Sequence, residues 1–250
     1  DALFSYNKKT SLLGLTATPG RTSQDIESDQ ELADFFDQNK VTLKVKGYDN
    51  PIDYLVSEQY LAKTNFETLS YEHGDKFDDE EILSSFDIPK NVLENLAKDE
   101  LRNLKILSRT ETMSKQHKRM LVFAINVPHS QMLAAVLRAR GHYANSITSD
   151  TPEEERKKVI EDFKKDDNQH KTICNYGVLT TGFDAPKTSA AIIARPTKSL
   201  VLYSQMVGRA IRGLKAGGNK EAMIVSVVDV NIPGFRSIVE SFNNWEDVWA

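Results

Sequence analysis

Residues 118–140 read Lys-Arg-Met-Leu-Val-Phe-Ala-Ile-Asn-Val-Pro-His-Ser-Gln-Met-Leu-Ala-Ala-Val-Leu-Arg-Ala-Arg, and the two halves follow different periods. Met120 to Ile125 is an unbroken apolar run, as expected of a strand covered on both faces. Pro128 to Arg140 reads as a helix, with Pro in its first turn and Gly141 just past its end. The alternation continues downstream. Tyr143–Thr148, Thr172–Tyr176, Ala190–Ala194 and Met223–Val230 read as strands. Thr151-Pro152-Glu153-Glu154 opens a helix, with Thr as the cap and acids in the first turn; it runs to about Lys165 and buries Val159, Ile160 and Phe163. Leu200–Ile211 reads as another helix. Strands and helices in this order predict an α/β fold with a doubly wound parallel sheet, whose ligands sit at the carboxyl ends of the strands.

Upstream the pattern is less regular. Ser11–Leu15 reads as a buried strand, and Ser23–Phe36 as a helix capped by Ser23 and anchored by Ile26, Leu32 and Phe36. Residues 37–89 read as mixed structure, with a short strand at Val41–Val45. Val92, Leu93, Leu96, Leu101, Leu104 and Leu107 suggest one helix leading into the regular part. The tail aromatics Phe235, Phe242, Trp245 and Trp249 suit packing against the domain, with base stacking as the alternative.

Composition narrows the class. The 250 residues are 40% hydrophobic and 27% charged, as in ordinary globular proteins. No apolar run approaches the ~20 residues needed to span a bilayer, so no membrane partner is expected. One cysteine, Cys174, excludes an internal disulfide and a Cys-rich zinc site, and suits a reducing, cytoplasmic setting; its apolar strand marks it as core. His73, His117, His129, His142 and His170 show no paired metal-ligand spacing and read as surface or helix-end residues, so no metal site is expected. Net charge is −4, yet Lys187–Lys220 contains no acid and carries seven cations: Lys187, Arg195, Lys198, Arg209, Arg212, Lys215 and Lys220. A solvated basic face is the plain explanation of such a run.

Three stretches carry chemistry. In Gln205-Met206-Val207-Gly208-Arg209-Ala210-Ile211-Arg212, helical spacing puts Gln205, Arg209 and Arg212 on one face and Leu202, Met206 and Ala210 on another. Two guanidiniums projecting together suit a polyphosphate, and Gly208 inside a helix suggests close approach by a backbone or ligand. In Leu179-Thr180-Thr181-Gly182-Phe183-Asp184-Ala185-Pro186, hydroxyls and a glycine turn at a strand's carboxyl end can hold phosphate oxygens. Asp184 can accept from ribose hydroxyls or orient an arginine. Gly14 to Arg21 is a third strand-to-turn segment bearing Thr16 and Thr18. Each has a bland alternative: a solvated helix face for the first, plain turns for the others.

Taken together and in order, these stretches resemble the superfamily-two helicase core. Thr16-Ala17-Thr18 is similar to motif III, Leu121–Ala124 with His129-Ser130 to motif IV, Thr180–Asp184 to motif V, and Gln205–Arg212 to motif VI in its QxxGRxxR form. The leading Gln and the TATPGR segment are more similar to DExH-type DNA-repair helicases and restriction-enzyme translocase subunits than to DEAD-box RNA helicases. The resemblance implies a RecA-like sheet in residues 116–232, preceded by the tail end of a first RecA-like domain in residues 1–36. Residues 37–115 would connect them, and 233–250 would form a tail. Arg209 and Arg212 would be arginine fingers, with Gln205 sensing the same phosphate. Gly182 and Asp184 would sit by the nucleotide, and Thr16 and Thr18 would couple hydrolysis to movement. Thr180, Thr181, Ala124 and Asn126 would hold the nucleic-acid backbone, DNA being favoured over RNA.

The family's phosphate loop and Asp-Glu magnesium box belong before Thr16. No G-x-x-x-x-G-K-[ST] occurs; Gly213–Lys220 has Asn219 at the lysine position, and Asp79-Glu80-Glu81 lacks a preceding apolar strand. The expectation is therefore a carboxy-terminal portion whose intact protein uses ATP and Mg2+, while this chain alone binds neither and is inactive. A duplex translocase that does not unwind and a non-catalytic binding module are the competing readings.

Overall fold

Six strands, β1 (Lys63–Tyr71), β2 (Arg119–Phe123), β3 (Tyr143–Ile147), β4 (Lys171–Asn175), β5 (Ala190–Ile193) and β6 (Glu221–Asp229), form one sheet in the order β1-β6-β5-β2-β4-β3. All five pairings are parallel. The computed structural model describes residues 13–14, 26–39, 41, 43–72, 77–179 and 183–243. The helices are α1 (Ile26–Phe35), α2 (Pro51–Ser57), α3 (Asp79–Ser84), α4 (Lys90–Lys98), α5 (Glu100–Ser114), α6 (Val127–Ala139), α7 (Glu153–Lys164), α8 (Leu200–Val207) and α9 (Phe235–Asn243).

The β2 run shows why the sheet is covered on both sides. Met120, Val122 and Ala124 join Ile106, Leu107, Leu133 and Leu137 of α5 and α6 in one buried cluster. Leu121 and Phe123 enter another, with Phe163 of α7, Tyr203, Met206 and Val207 of α8, and Phe235 and Phe242 of α9. Alternate residues of one apolar strand thus face two helical layers, each fully buried large side chain contributing about 1.5–3 kcal/mol. Gly141 ends α6 in the left-handed region at φ +85°, which glycine enters without strain.

Several sequence expectations change here. Lys63–Tyr71, expected within a connecting segment, is the edge strand of this sheet, paired along its whole length with β6. Its apolar residues Phe66, Leu69 and Tyr71 are too irregularly spaced to announce a strand. Val41 and Leu43 are exposed and in no strand. The single helix expected over Val92–Leu107 is two: Asp99 takes an extended conformation and its carboxylate caps α5 by accepting from the Arg102 N–H at 2.9 Å. Leu101 and Leu104 are left exposed. Thr151 does not cap α7; its hydroxyl accepts from the Thr148 N–H at 2.9 Å, and Pro152 occupies the cap position. Of Ser11–Leu15 only Leu13 and Gly14 are described, in no strand, and Ser23 lies outside the described residues. Phe235 and Phe242 are core residues, whereas Trp245 and Trp249 lie outside the described residues.

The polar feature at the centre of the fold is a fully buried ion pair. Arg102 of α5 donates from Nε and Nη2 to the two Asp229 oxygens at 2.7 and 2.9 Å, and from Nη2 to the Ala194 carbonyl at 2.8 Å. Removing one partner strands a desolvated charge. Arg102→Met is therefore expected to lower stability by about 3–5 kcal/mol, and the added change Asp229→Leu to recover much of it. Urea denaturation of both variants beside the parent checks the order.

Candidate functional site

The carboxyl ends of the strands carry the residues singled out by sequence. Ser199 caps α8 through its hydroxyl, which accepts from the Leu202 N–H at 3.1 Å, and Tyr203, Met206 and Val207 bury the helix against the sheet. The helix ends at Val207, earlier than the expected Ile211. Past it the backbone tightens: the Arg209 N–H donates to Met206 O at 3.3 Å and that of Ala210 to Val207 O at 3.0 Å. Gln205, Arg209 and Arg212 consequently do not share one helical face. Gln205 sits half-buried on the last turn, Arg209 follows in a turn, and Arg212 lies beyond it in an antiparallel bridge with Leu61.

What fixes the two arginines is a segment that sequence reading left as connector. The Ala62 N–H donates to Ile211 O at 2.8 Å, that of Gly213 to Tyr60 O at 2.9 Å, and that of Lys215 to Gln59 O at 2.9 Å. Lys215 Nζ also pairs with Glu58 at 2.6 Å. The close approach expected at Gly208 is found elsewhere. A Cβ at Gly208 would meet the Ser204 carbonyl of the preceding turn at 3.1 Å, whereas one at Gly213 would collide with the Gln59 backbone and one at Gly218 with the Arg212 carbonyl.

Both guanidiniums turn toward the segment after β4. Arg209 Nη1 donates to the Phe183 carbonyl at 2.7 Å, and Arg212 pairs with Asp184. Burial, reinforced by the charge of Arg212, lowers the Arg209 pKa against the opposing pull of Asp184. The Asp184 carboxylate pairs with Arg212 and lies within the field of Arg209, so both guanidiniums converge on one short segment. Of the other sequence-derived residues, Ala124 is buried and donates its N–H to Asn175 O at 2.8 Å. Asn126 is half-buried, and its side-chain oxygen caps α6 by accepting from the His129 N–H at 2.9 Å. Thr16, Thr18, Thr180, Thr181 and Gly182 lie outside the described residues. Among the described residues no group of three His, Cys, Asp or Glu could hold a metal ion.

Residues 99–213 match the model of the helicase conserved C-terminal domain. The matched region is a helicase conserved C-terminal domain, in keeping with the superfamily-two resemblance of the motifs. The chain is 28% identical over 169 residues to IRC3 of Saccharomyces cerevisiae, which carries the name of an ATP-dependent helicase; the match covers 66% of this chain and 24% of that protein. It is 24% identical to a 51.5 kDa protein of a Lactococcus phage, over 98% of this chain and 49% of the relative. The chain thus spans half or less of the curated relatives it matches. Its fold is shared with a solved fragment assigned to the HsdR subunit of a type I restriction enzyme from Vibrio vulnificus. There the TM-score is 0.55 and the identity 16%, over 87% of this chain and 43% of that one.

Two side chains of the helicase domain behave differently from their sequence reading or confirm it sharply. Cys174 is fully buried, and burial pushes its thiol up to about 12. His129, expected at a surface or helix end, is only 2% exposed. Its Nδ1 accepts from the Ile125 N–H at 3.1 Å, so Nε2 carries the proton and donates to Asn103 Oδ1 at 2.9 Å. Burial, aided by Arg102, drives its pKa down to about 3. The folded state therefore resists a proton that the unfolded chain takes up below about 6.5. Stability from this group is fully present above that pH and is expected to fall by up to about 1.4 kcal/mol per pH unit as pH drops toward 3. His129→Gln should flatten that slope in pH-dependent urea melts; an unchanged slope would assign the acid sensitivity to other groups.

Proposed function

We propose that the intact protein couples ATP hydrolysis to movement along nucleic acid, and that this domain supplies Arg209 and Arg212 to the phosphates of ATP held by a first RecA-like domain. The observation that carries the reading is the convergence of two guanidiniums just past α8 on one segment, Arg209 on the Phe183 carbonyl and Arg212 on Asp184. A terminal phosphate offers several oxygens to paired guanidinium donors, whose planar geometry and permanent charge suit it.

In this reading the turn after α8 and its clamp to Gln59–Ala62 set the reach of both fingers, so closure of the two domains brings them to the phosphates together. Asp184 then releases Arg212 and is free to accept from the nucleotide's ribose. Gln205, on the last turn of α8, would contact the same phosphate. Magnesium, which neutralises the phosphates during transfer, would be held by the Asp-Glu box of the first domain, to which residues 1–36 would contribute the final elements. Thr16 and Thr18 would couple hydrolysis to domain movement there. Asn126 with Thr180 and Thr181 would meet the sugar-phosphate backbone, with DNA as the favoured polymer.

ATP hydrolysis by the protein in its full natural length, measured without polymer and with single-stranded DNA, duplex DNA and RNA, tests the reading. Stimulation by one polymer is expected, with a drop of about a thousandfold in kcat for Arg209→Ala. Turnover indifferent to every polymer, or unaffected by the substitution, would defeat it. Strand displacement beside triplex displacement then separates unwinding from duplex translocation.

A further inference from the structure

Two residues beside the end of β2 have no task in the scheme above. Tyr176 is the first residue after β4 and Arg195 the second after β5, and β2 runs between those strands. The Arg195 N–H donates to Phe123 O at 3.1 Å, and Ala124 donates to Asn175 O at 2.8 Å, so both segments are fastened against the same strand end. Their side chains meet there, the Arg195 guanidinium carbon lying 5.5 Å from the centre of the Tyr176 ring.

The guanidinium is left underused. Its side chain is 22% exposed, and its ion pair with Asp87 is long, at 3.7 Å. The other Asp87 oxygen is already engaged by the Thr197 hydroxyl at 3.1 Å and the Lys198 N–H at 2.7 Å. Arg195 Nε is buried without a partner. A group with five N–H donors that is largely withdrawn from water ordinarily fills them. The nearby Lys198 does so: its Nζ donates to the carbonyls of Ile82, Leu83 and Ser85. Arg195 instead lies over an aromatic ring at the carboxyl end of the sheet, where connections leave in opposite directions from β5 and β2 and ligands of such folds bind.

We propose that Arg195, placed over Tyr176, binds a phosphodiester of a single-stranded nucleic acid, with the half-buried tyrosine ring offered to the adjoining sugar or base. The proposal rests on the nucleic-acid reading above and extends it to residues outside the helicase motifs. One guanidinium already balanced in part by Asp87 matches the single charge of a phosphodiester; the paired Arg209 and Arg212 match the higher charge of a nucleotide's polyphosphate. The ring gives the guanidinium a cation–π neighbour, and Lys would keep the charge while losing the planar, paired donors.

The test is fluorescence anisotropy of a labelled oligothymidylate with the full-length protein, across a salt series, for the parent, Arg195→Gln, Arg195→Lys and Tyr176→Val. Thermal melts establish that each variant is folded. Arg195→Gln is expected to weaken binding about tenfold and to reduce the slope of log affinity against log salt by about one. Arg195→Lys should keep the slope and lose affinity, and Tyr176→Val should cost a few-fold. If Arg195→Gln is unfolded, Arg195→Lys decides. A parent that binds while the folded Arg195 variants bind equally well overturns this assignment alone. A parent that binds no oligonucleotide removes the nucleic-acid reading with it. Competition by inorganic tripolyphosphate weakened in Arg195→Gln, with oligothymidylate binding unchanged, would assign the residue to a nucleotide and overturn the proposal.

Discussion

The first turn of α5 gathers the carboxyl ends of four strands, and the placement of the upper surface of the domain depends on it. Asp99 caps the helix and accepts from the Tyr71 hydroxyl at 2.7 and 2.8 Å, tying down the end of β1. Arg102 grips Asp229 at the end of β6 and the Ala194 carbonyl just past β5. Asn103 meets His129, whose other ring nitrogen holds the Ile125 N–H just past β2. Farther along the helix, Arg109 forks onto Glu67 of β1 at 2.8 and 2.6 Å. A buried pair such as Arg102–Asp229 is weak evidence for stability in itself, because desolvation offsets most of the attraction. What it supplies here is position: a forked guanidinium accepts one geometry, and an apolar replacement would allow the helix to slide.

That position matters because the functional side chains stand on loops, and loops take their geometry from whatever holds their ends. Arg195 follows directly on Ala194, whose carbonyl is gripped by Arg102. Asn126 follows Ile125, whose amide is gripped by His129. The motif carrying Arg209 and Arg212 is fastened differently, by backbone pairing with Gln59–Ala62 and by two glycines that admit the crossing chain. Segments before the regular α/β part thus shape both groups of sites.

The legibility of this structure followed from sequence distance. β2, β5 and most of β6 announce themselves because a strand buried on both faces is largely apolar, and the α/β order then implies the parallel sheet. β1 lies at an edge, half exposed, so Thr, Asn, Glu and Ser interrupt its apolar residues and the period is lost. The arginines of Gln205–Arg212 were recognisable by residue type, yet their common helical face was not real, because Gly208 and the tight bonding after Met206 end the helix first. The α5 network was invisible: Arg102 and Asp229 are separated by 127 positions, and neither stands out locally. His129 does stand at a helix end, in the first turn of α6, but its burial was not legible, since helical position says nothing of an Asn103 side chain arriving from another helix.

The acid-free run from Lys187 to Lys220 looked like a basic face, and the structure dissolves that face into separate commitments. Lys198 is turned inward onto the carbonyls that end α3, and Lys215 is spent on Glu58. Arg209 and Arg212 are directed to Phe183 and Asp184. Arg195 lies over the ring of Tyr176. A net charge of −4 is then no argument against binding a polyanion. Affinity for phosphate arises where a guanidinium is desolvated, fixed in orientation and short of acceptors, and a few such points outweigh a diffuse field that salt would screen.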